Sequence, residues 1–227
     1  MNDPDAFGDR HRGQGTVIGT LLNFHGAVAR MGAALNEAPY GAPPRAPVLY
    51  VKPRNTFATH GATIVIPADV REIEVGVTLG VVIGRTATRL TESDALEYVR
   101  GYTVVNDLTV PHGNYFRPAM KARCRDGFCP MGSREVPRAA IPDPDALQLR
   151  AYVNGDLRQE NSTRNLVRPI ARLIADVTEF MTLSAGDVLL VGVPEDSPTA
   201  LAGDRVAVEI EGVGRVENML VSPAGLP

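Results

Sequence analysis

Short apolar runs, rather than long amphipathic stretches, set the hydrophobic pattern of this chain. TVIGTLLNF (16–24), VLYVKP, ATIVIP and EVGVTLGVVIG each read as a strand, the last long enough to be central. YTVVNDLT (102–109) is a further strand that ends in polar residues, and AGDVLLVGVP and GDRVAVEIEGVGRVENMLV close the chain with more. LQLRAYVNGDLRQ (147–159) is the clearest hairpin, because Asn154-Gly155 supplies the positive φ values of a type I′ turn between two alternating strands.

Helical spacing appears in three places. HGAVARMGAALNEA carries Ala, Val, Met and Leu at positions that suit an amphipathic helix, and TESDALEYVRGY (91–102) offers Thr91 as N-cap with Asp94 near N3. Ser162 is placed to cap a helix through NLVRPIARLIADVTEF, where Pro169 either makes the start irregular or sits in the first helical turn. PYGAPPRAP (39–47) is a turn-rich connection. VPHGNYFRPAMKARCRDGFCPMG is a long irregular segment, broken by prolines and glycines and rich in cationic residues, and such loops are where function concentrates. Strands outnumber helices and mostly follow one another, which predicts an α+β fold, a mixed β-roll with a few packed helices.

Composition narrows the function classes. At 227 residues the chain suits one large domain, over 16–227, and 44% hydrophobic content is enough for a sizeable core. MNDPDAFGDRHRGQG, residues 1–15, has no apolar stretch of the signal-peptide kind and reads as a flexible leader. A net charge of −3 with no basic run argues against nucleic acid or an anionic membrane as the main partner. No apolar run approaches the roughly 18 residues needed to cross a bilayer. Cys124 and Cys129 lie in KARCRDGFCP, not in a CxxC, and read as reduced thiols of a cytoplasmic protein.

Several segments together resemble the fumarylacetoacetate hydrolase family: KPRNTF after VLYV, LGVVIGR, GYTVVNDLT, KARCRDGFCPMG, and VNGDLRQENST with LIADVTEFMTLSAGDVLLVG. They occur in family order and cover nearly the whole chain from about residue 16. YGAPPRAPVLYVKPRNT and YFRPAMKARCRDGFCPMG are most similar to the members that act in homoprotocatechuate (4-hydroxyphenylacetate) breakdown. The resemblance implies a β-roll and a small carboxylate substrate. The implied reaction is decarboxylation of 5-oxopent-3-ene-1,2,5-tricarboxylate, isomerisation of the resulting 2-hydroxyhepta-2,4-diene-1,7-dioate, or both. It also implies a homodimer, or a heterodimer with a paralogous subunit.

Family members hold a divalent ion, Mg or Mn, with a Glu-x-Glu ahead of the apolar run and an Asp on the next strand. Aligned on LGVVIG, the two glutamates fall at Gly76 and Thr78, and the Asp falls at Asp107. Glu72 and Glu74 share the parity of 76 and 78, but four residues of strand span about 13 Å. Magnesium needs oxygen at about 2.1 Å, so both glutamates read as the solvated start of the strand. The family's His/Glu acid–base pair falls at Ala27 and Arg30, and His25 reads as a structural or surface residue. The Gly-Thr-Pro of the family appears as Gly192-Val193-Pro194, without its hydroxyl.

The surviving chemistry is therefore cationic. Lys121 matches the family's active-site lysine, although the longer KARCRDGFCP segment blurs its register with Arg123. Lys121 and Asp107 are the expected catalytic residues, with Asp107 also the remaining metal-ligand position. Arg117, Arg123 and Arg125 are expected to grip substrate carboxylates, while Asn106 and Asp126 read as satisfying loop backbone. Three readings stay open: a decarboxylase/isomerase working by cationic stabilisation, a catalytically degenerate lobe paired with an intact paralogue, and a binding module for dicarboxylates.

Overall fold

A computed structural model describes residues 15–113, 115 and 117–223. The expected leader at 1–15 falls almost wholly outside the described residues.

The largest sheet runs in the order Val48–Lys52, Val17–Leu21, Val188–Leu190, Val77–Ile83, Val99–Asn106, Cys129–Met131, Phe57–Thr59, with Val136–Pro137 pairing off Val99–Asn106. Every residue of Val77–Ile83 is buried. Its unbroken apolar character is what a strand covered on both faces requires. One face contributes Val77, Leu79, Val81 and Ile83 to the main core. The other sets Val82 with Val105, Val188 and Met131 in a smaller cluster. A second sheet, ordered Asp156–Ser162, Gln148–Val153, Arg205–Ile210, Gly214–Val221, Thr63–Val65, supplies much of the rest of the main core. The α+β, strand-dominated class expected from the pattern is what the chain adopts. The hairpin turns at Asn154 and Gly155, both at positive φ.

Helices are shorter than their periodicity suggests. The first is α-helical only over His25–Met31 and continues as a 3₁₀ turn, Gly32–Asn36. The second spans Glu92–Ala95 and a 3₁₀ turn Leu96–Tyr98 before the chain extends at Val99. Ser162 caps a 3₁₀ turn, Thr163–Asn165, accepting from the Arg164 N–H, and the α-helix begins only after Pro169, over Ile170–Thr178. Proline lacks the N–H that would carry a helix backwards through it, so the two elements stay separate.

The stretch read as one long strand divides. Ile73–Glu74 pairs with Thr199–Ala200, and the chain bends through Val75 and Gly76 before Val77–Ile83 begins. The long irregular segment is likewise partly regular, with one helical turn at Met120–Arg123 and the strand Cys129–Met131.

Candidate functional site

The site grows from the polar end of Val99–Asn106. Asp107 follows that strand directly and is buried. Its N–H donates to the Gly76 carbonyl at 2.8 Å, and the Asn106 amide oxygen accepts from the Gly76 N–H at 3.1 Å, so Gly76 is gripped from both sides. Gly76 is required by space: a Cβ there would lie 2.5 Å from the Asp107 carbonyl oxygen and 3.0 Å from Val193.

A buried carboxylate needs partners, and the edge strand Val48–Lys52 brings two. Alternation along a strand points Tyr50 and Lys52 to the same face. The Lys52 side chain is 0% exposed, and its Nζ lies 2.7 Å from Asp107 Oδ1. The same ammonium donates to the carbonyls of Leu108, Arg123 and Phe128 at 2.8, 2.9 and 2.9 Å. One cation thus ties three points of the 108–128 segment to the sheet. Tyr50 lies across Gly19, its pair on the neighbouring strand, where a Cβ would overlap the ring. Its hydroxyl donates to Asp107 Oδ2.

Arg123 completes the cluster. Nη1 donates to Asp107 Oδ2 at 2.9 Å, and the guanidinium carbon sits 4.6 Å from the centre of the Tyr50 ring. Burial alone would raise the Asp107 pKa. The charges of Lys52 and Arg123, with hydrogen bonds from Lys52 and Tyr50, outweigh it and hold that carboxyl below the usual range. Burial, together with the negative charge of Asp107, pushes the Tyr50 hydroxyl well above its ordinary value, so it remains a donor.

The cluster forms one wall of a cavity of about 660 Å³, whose lining includes Thr20, Tyr50, Glu74, Asp107, Arg123 and Val193. At its edge Arg30 pairs with Asp196, and both also line it. Glu74 reaches the lining from just before the bend at Val75 and Gly76. Desolvation raises the Glu74 carboxyl above its usual pKa. Arg123 and Arg30 pull it down, while Asp107 and Glu72 add to the rise.

The sequence-derived candidates separate. Asp107 and Arg123 meet in the cavity. Lys121 is two residues from Arg123 but points to solvent, its side chain 86% exposed and 3.7 Å from Asp69. The helical turn Met120–Arg123 puts these two residues on different sides, Arg123 facing inward and Lys121 outward. Arg125 donates to the Lys121 carbonyl and to Asp69. Arg117 and His25 are exposed and outside the cavity lining, and Asp126 accepts from Asn55. Glu74, expected at the solvated start of the strand, instead lines the cavity, because the chain bends after it and Ile73–Glu74 pairs apart from Val77–Ile83. Lys52 and Tyr50 are not in the motif-derived set, although a lysine inside an apolar strand, VLYVKP, itself asks for a buried acid.

The donor set does not suit the divalent ion that the family resemblance implies. Asp107 is already engaged by two cations and a phenol. Of the other ligand positions, 76 can carry no side chain and 78 is a fully buried threonine. Among the described residues no group of three or more His, Cys, Asp or Glu is arranged to hold a metal.

Known proteins share this architecture. The chain is 41% identical over 210 residues to the 4-hydroxyphenylacetate degradation bifunctional isomerase/decarboxylase of Escherichia coli, an alignment covering 89% of this chain and 48% of that protein. It therefore spans about half the length of that relative. The solved 5-carboxymethyl-2-hydroxymuconate delta-isomerase of Mycobacterium smegmatis superposes with a TM-score of 0.77 at 31% identity, over 92% of this chain and 79% of that one. The maleylpyruvate hydrolase of Sphingobium sp. SYK-6, solved with manganese(II) and pyruvate, gives 0.74 at 30% identity, over 91% and 70%. The family model described as fumarylacetoacetate (FAA) hydrolase C-terminal matches residues 16–221, and with this fold around it the chain belongs to the fumarylacetoacetate hydrolase family.

Proposed function

We propose that this chain decarboxylates 5-oxopent-3-ene-1,2,5-tricarboxylate, and passes on or isomerises the 2-hydroxyhepta-2,4-diene-1,7-dioate formed, in the breakdown of 4-hydroxyphenylacetate. The observation that carries the reading is the Asp107-anchored Arg123 on the wall of a cavity of about 660 Å³, a volume in the range of small-ligand sites. The similarity to the E. coli isomerase/decarboxylase supports the reaction class and the pathway.

The chemistry needs a place for charge and a source of protons. The carboxylate to be lost sits on a carbon conjugated, through a double bond, to a 2-keto acid. As its C–C bond breaks, CO₂ departs and the electron pair moves through the double bond to the keto oxygen, leaving a dienolate. Protonation on oxygen gives the hydroxydiene, and on carbon the keto isomer. Fixed cations near the keto oxygen lower the barrier to the first step. Glu74, whose burial favours its acid form, is suited to deliver the proton. We further propose a cytoplasmic location and a homodimer, or a heterodimer with a related chain, to be checked by sedimentation of the chain alone and mixed.

The direct test is to purify the chain and follow loss of the tricarboxylate by ultraviolet absorbance, with product identified by mass. Release of one CO₂ per substrate is expected. Absence of turnover by the isolated chain, with turnover restored by a related subunit, would overturn the reading of this chain as the active unit.

A further inference from the structure

At Asp107, the position that the family resemblance gives to a metal ligand, the chain gathers fixed positive charge. Lys52 and Arg123 both pair with Asp107, and the triad keeps a surplus of one positive charge. A divalent ion brought to Asp107 would meet two cations and a carboxylate already engaged by both, with Glu74 the other acid that the Asp107 charge reaches, whereas magnesium wants a nearly octahedral shell of oxygens. Gly76 closes the first glutamate position sterically.

Arg123 is also incompletely used. Its side chain is 9% exposed, yet among the described residues its buried Nε–H has no hydrogen-bond partner. A buried guanidinium donor left unsatisfied is costly unless a ligand completes it. The group lines the cavity, and the Tyr50 ring and Asp107 fix its plane. The Thr20 hydroxyl is a second group on the same lining without a hydrogen-bond partner among the described residues. Two oxygens of a planar keto acid match the paired donors of a guanidinium edge.

We propose that the Arg123 guanidinium is the catalytic electrophile of this cavity, binding the keto-acid oxygens and holding the dienolate charge, and that the site works without a divalent cation. The proposal rests on the decarboxylase reading for its reaction, but not for its ligand chemistry. During turnover Arg123 neither gains nor loses a proton. The electron pair released with CO₂ comes to rest on the keto oxygen against its N–H donors until that oxygen, or the conjugated carbon, takes a proton.

The test has two arms, both on the full chain. In the first, protein stripped with EDTA and desalted is titrated with oxalate, a planar dianion shaped like a pyruvate enolate, by calorimetry. Mn²⁺ is added separately and its free-ion electron paramagnetic resonance signal is followed. Oxalate is expected to bind the stripped chain, Arg123→Gln to weaken it at least ten-fold, Arg123→Lys to weaken it less, and the Mn²⁺ signal to stay that of free ion. In the second arm, turnover of the tricarboxylate is expected to change by less than two-fold on stripping, and kcat to fall about 10²–10³-fold in Arg123→Gln. Oxalate binding that appears only with Mn²⁺, or stoichiometric loss of the free Mn²⁺ signal, overturns the proposal without needing any variant to fold. Missing turnover with intact metal-free oxalate binding counts against the decarboxylase reading alone.

Discussion

Replacing Lys52 by methionine removes the ammonium while nearly keeping the length of the side chain. In the native fold Nζ donates to three backbone carbonyls and forms an ion pair with Asp107 Oδ1, all within 2.7–2.9 Å. Breaking a buried ion pair by removing one partner costs about 3–5 kcal/mol. Here Asp107 keeps Arg123 and Tyr50, which places that part at the lower end. The three carbonyls each lose a donor at about 1 kcal/mol or more, partly offset by the buried methionine. A loss of about 4 kcal/mol follows, a large share of the 5–15 kcal/mol typical of a domain. With a urea slope of about 2.5 kcal/mol per molar, the midpoint falls by about 1.5 M. The chain has no tryptophan, so far-ultraviolet circular dichroism is the suitable probe. Lys121→Met, at an 86% exposed site, is the matched control and is expected to stay within about 0.5 kcal/mol of the parent. If Lys52→Met moved the midpoint by less than about 0.5 M at unchanged slope, the ammonium would not be what holds the 108–128 segment to the sheet.

Three further outcomes follow from the same geometry. Asp107→Asn leaves Lys52 and Arg123 without a counter-ion and should cost about 3 kcal/mol at neutral pH. Because the folded carboxyl titrates below its unfolded value, its contribution is present above about pH 4 and fades as pH falls through the folded pKa. Acid titrations of stability should therefore be flatter in the variant, and parallel curves would refute the assignment. Glu74 has the opposite sign: its raised pKa makes the native chain lose stability as pH rises from the unfolded to the folded value. Glu74→Gln should thus be the more stable protein at neutral pH, lose that advantage below about pH 4, and lose the alkaline limb of the pH–rate profile. An unchanged limb would remove Glu74 from proton transfer. Gly76→Ala puts a methyl 2.5 Å from the Asp107 carbonyl oxygen and should cost about 1–3 kcal/mol. Differential scanning calorimetry should show a melting temperature several degrees lower, and an unshifted one would mean that the bend relaxes freely.

What the sequence made legible is what local pattern controls. The hairpin at Asn154-Gly155 and the buried central strand follow from turn chemistry and unbroken apolarity, and both are present. Asp107 and Arg123 lie in quotable motifs and meet in the cavity. Glu74 was misplaced because parity and rise describe a straight strand, whereas this one bends at Val75–Gly76 and changes partner. Lys121 was favoured over Arg123 because motif alignment counts residues, while a single helical turn decides which of them faces inward. Ser162 has the chemistry of a helix cap, and only the position of Pro169 limits it to a 3₁₀ turn. Lys52 escaped notice because its partners come from Asp107, Leu108, Arg123 and Phe128, far along the chain.

The pairing of Val48–Lys52 with Val17–Leu21 has a consequence for how this protein can fail or change. Tyr50 crosses the ribbon opposite Gly19, where any Cβ would overlap its ring. A slip by a single residue would turn Tyr50 and Lys52 outward together and bring Val51 in, erasing anchor and chemistry at once. A misaligned edge would therefore leave no half-working intermediate, and any evolutionary drift at position 19 is tied to what position 50 can be.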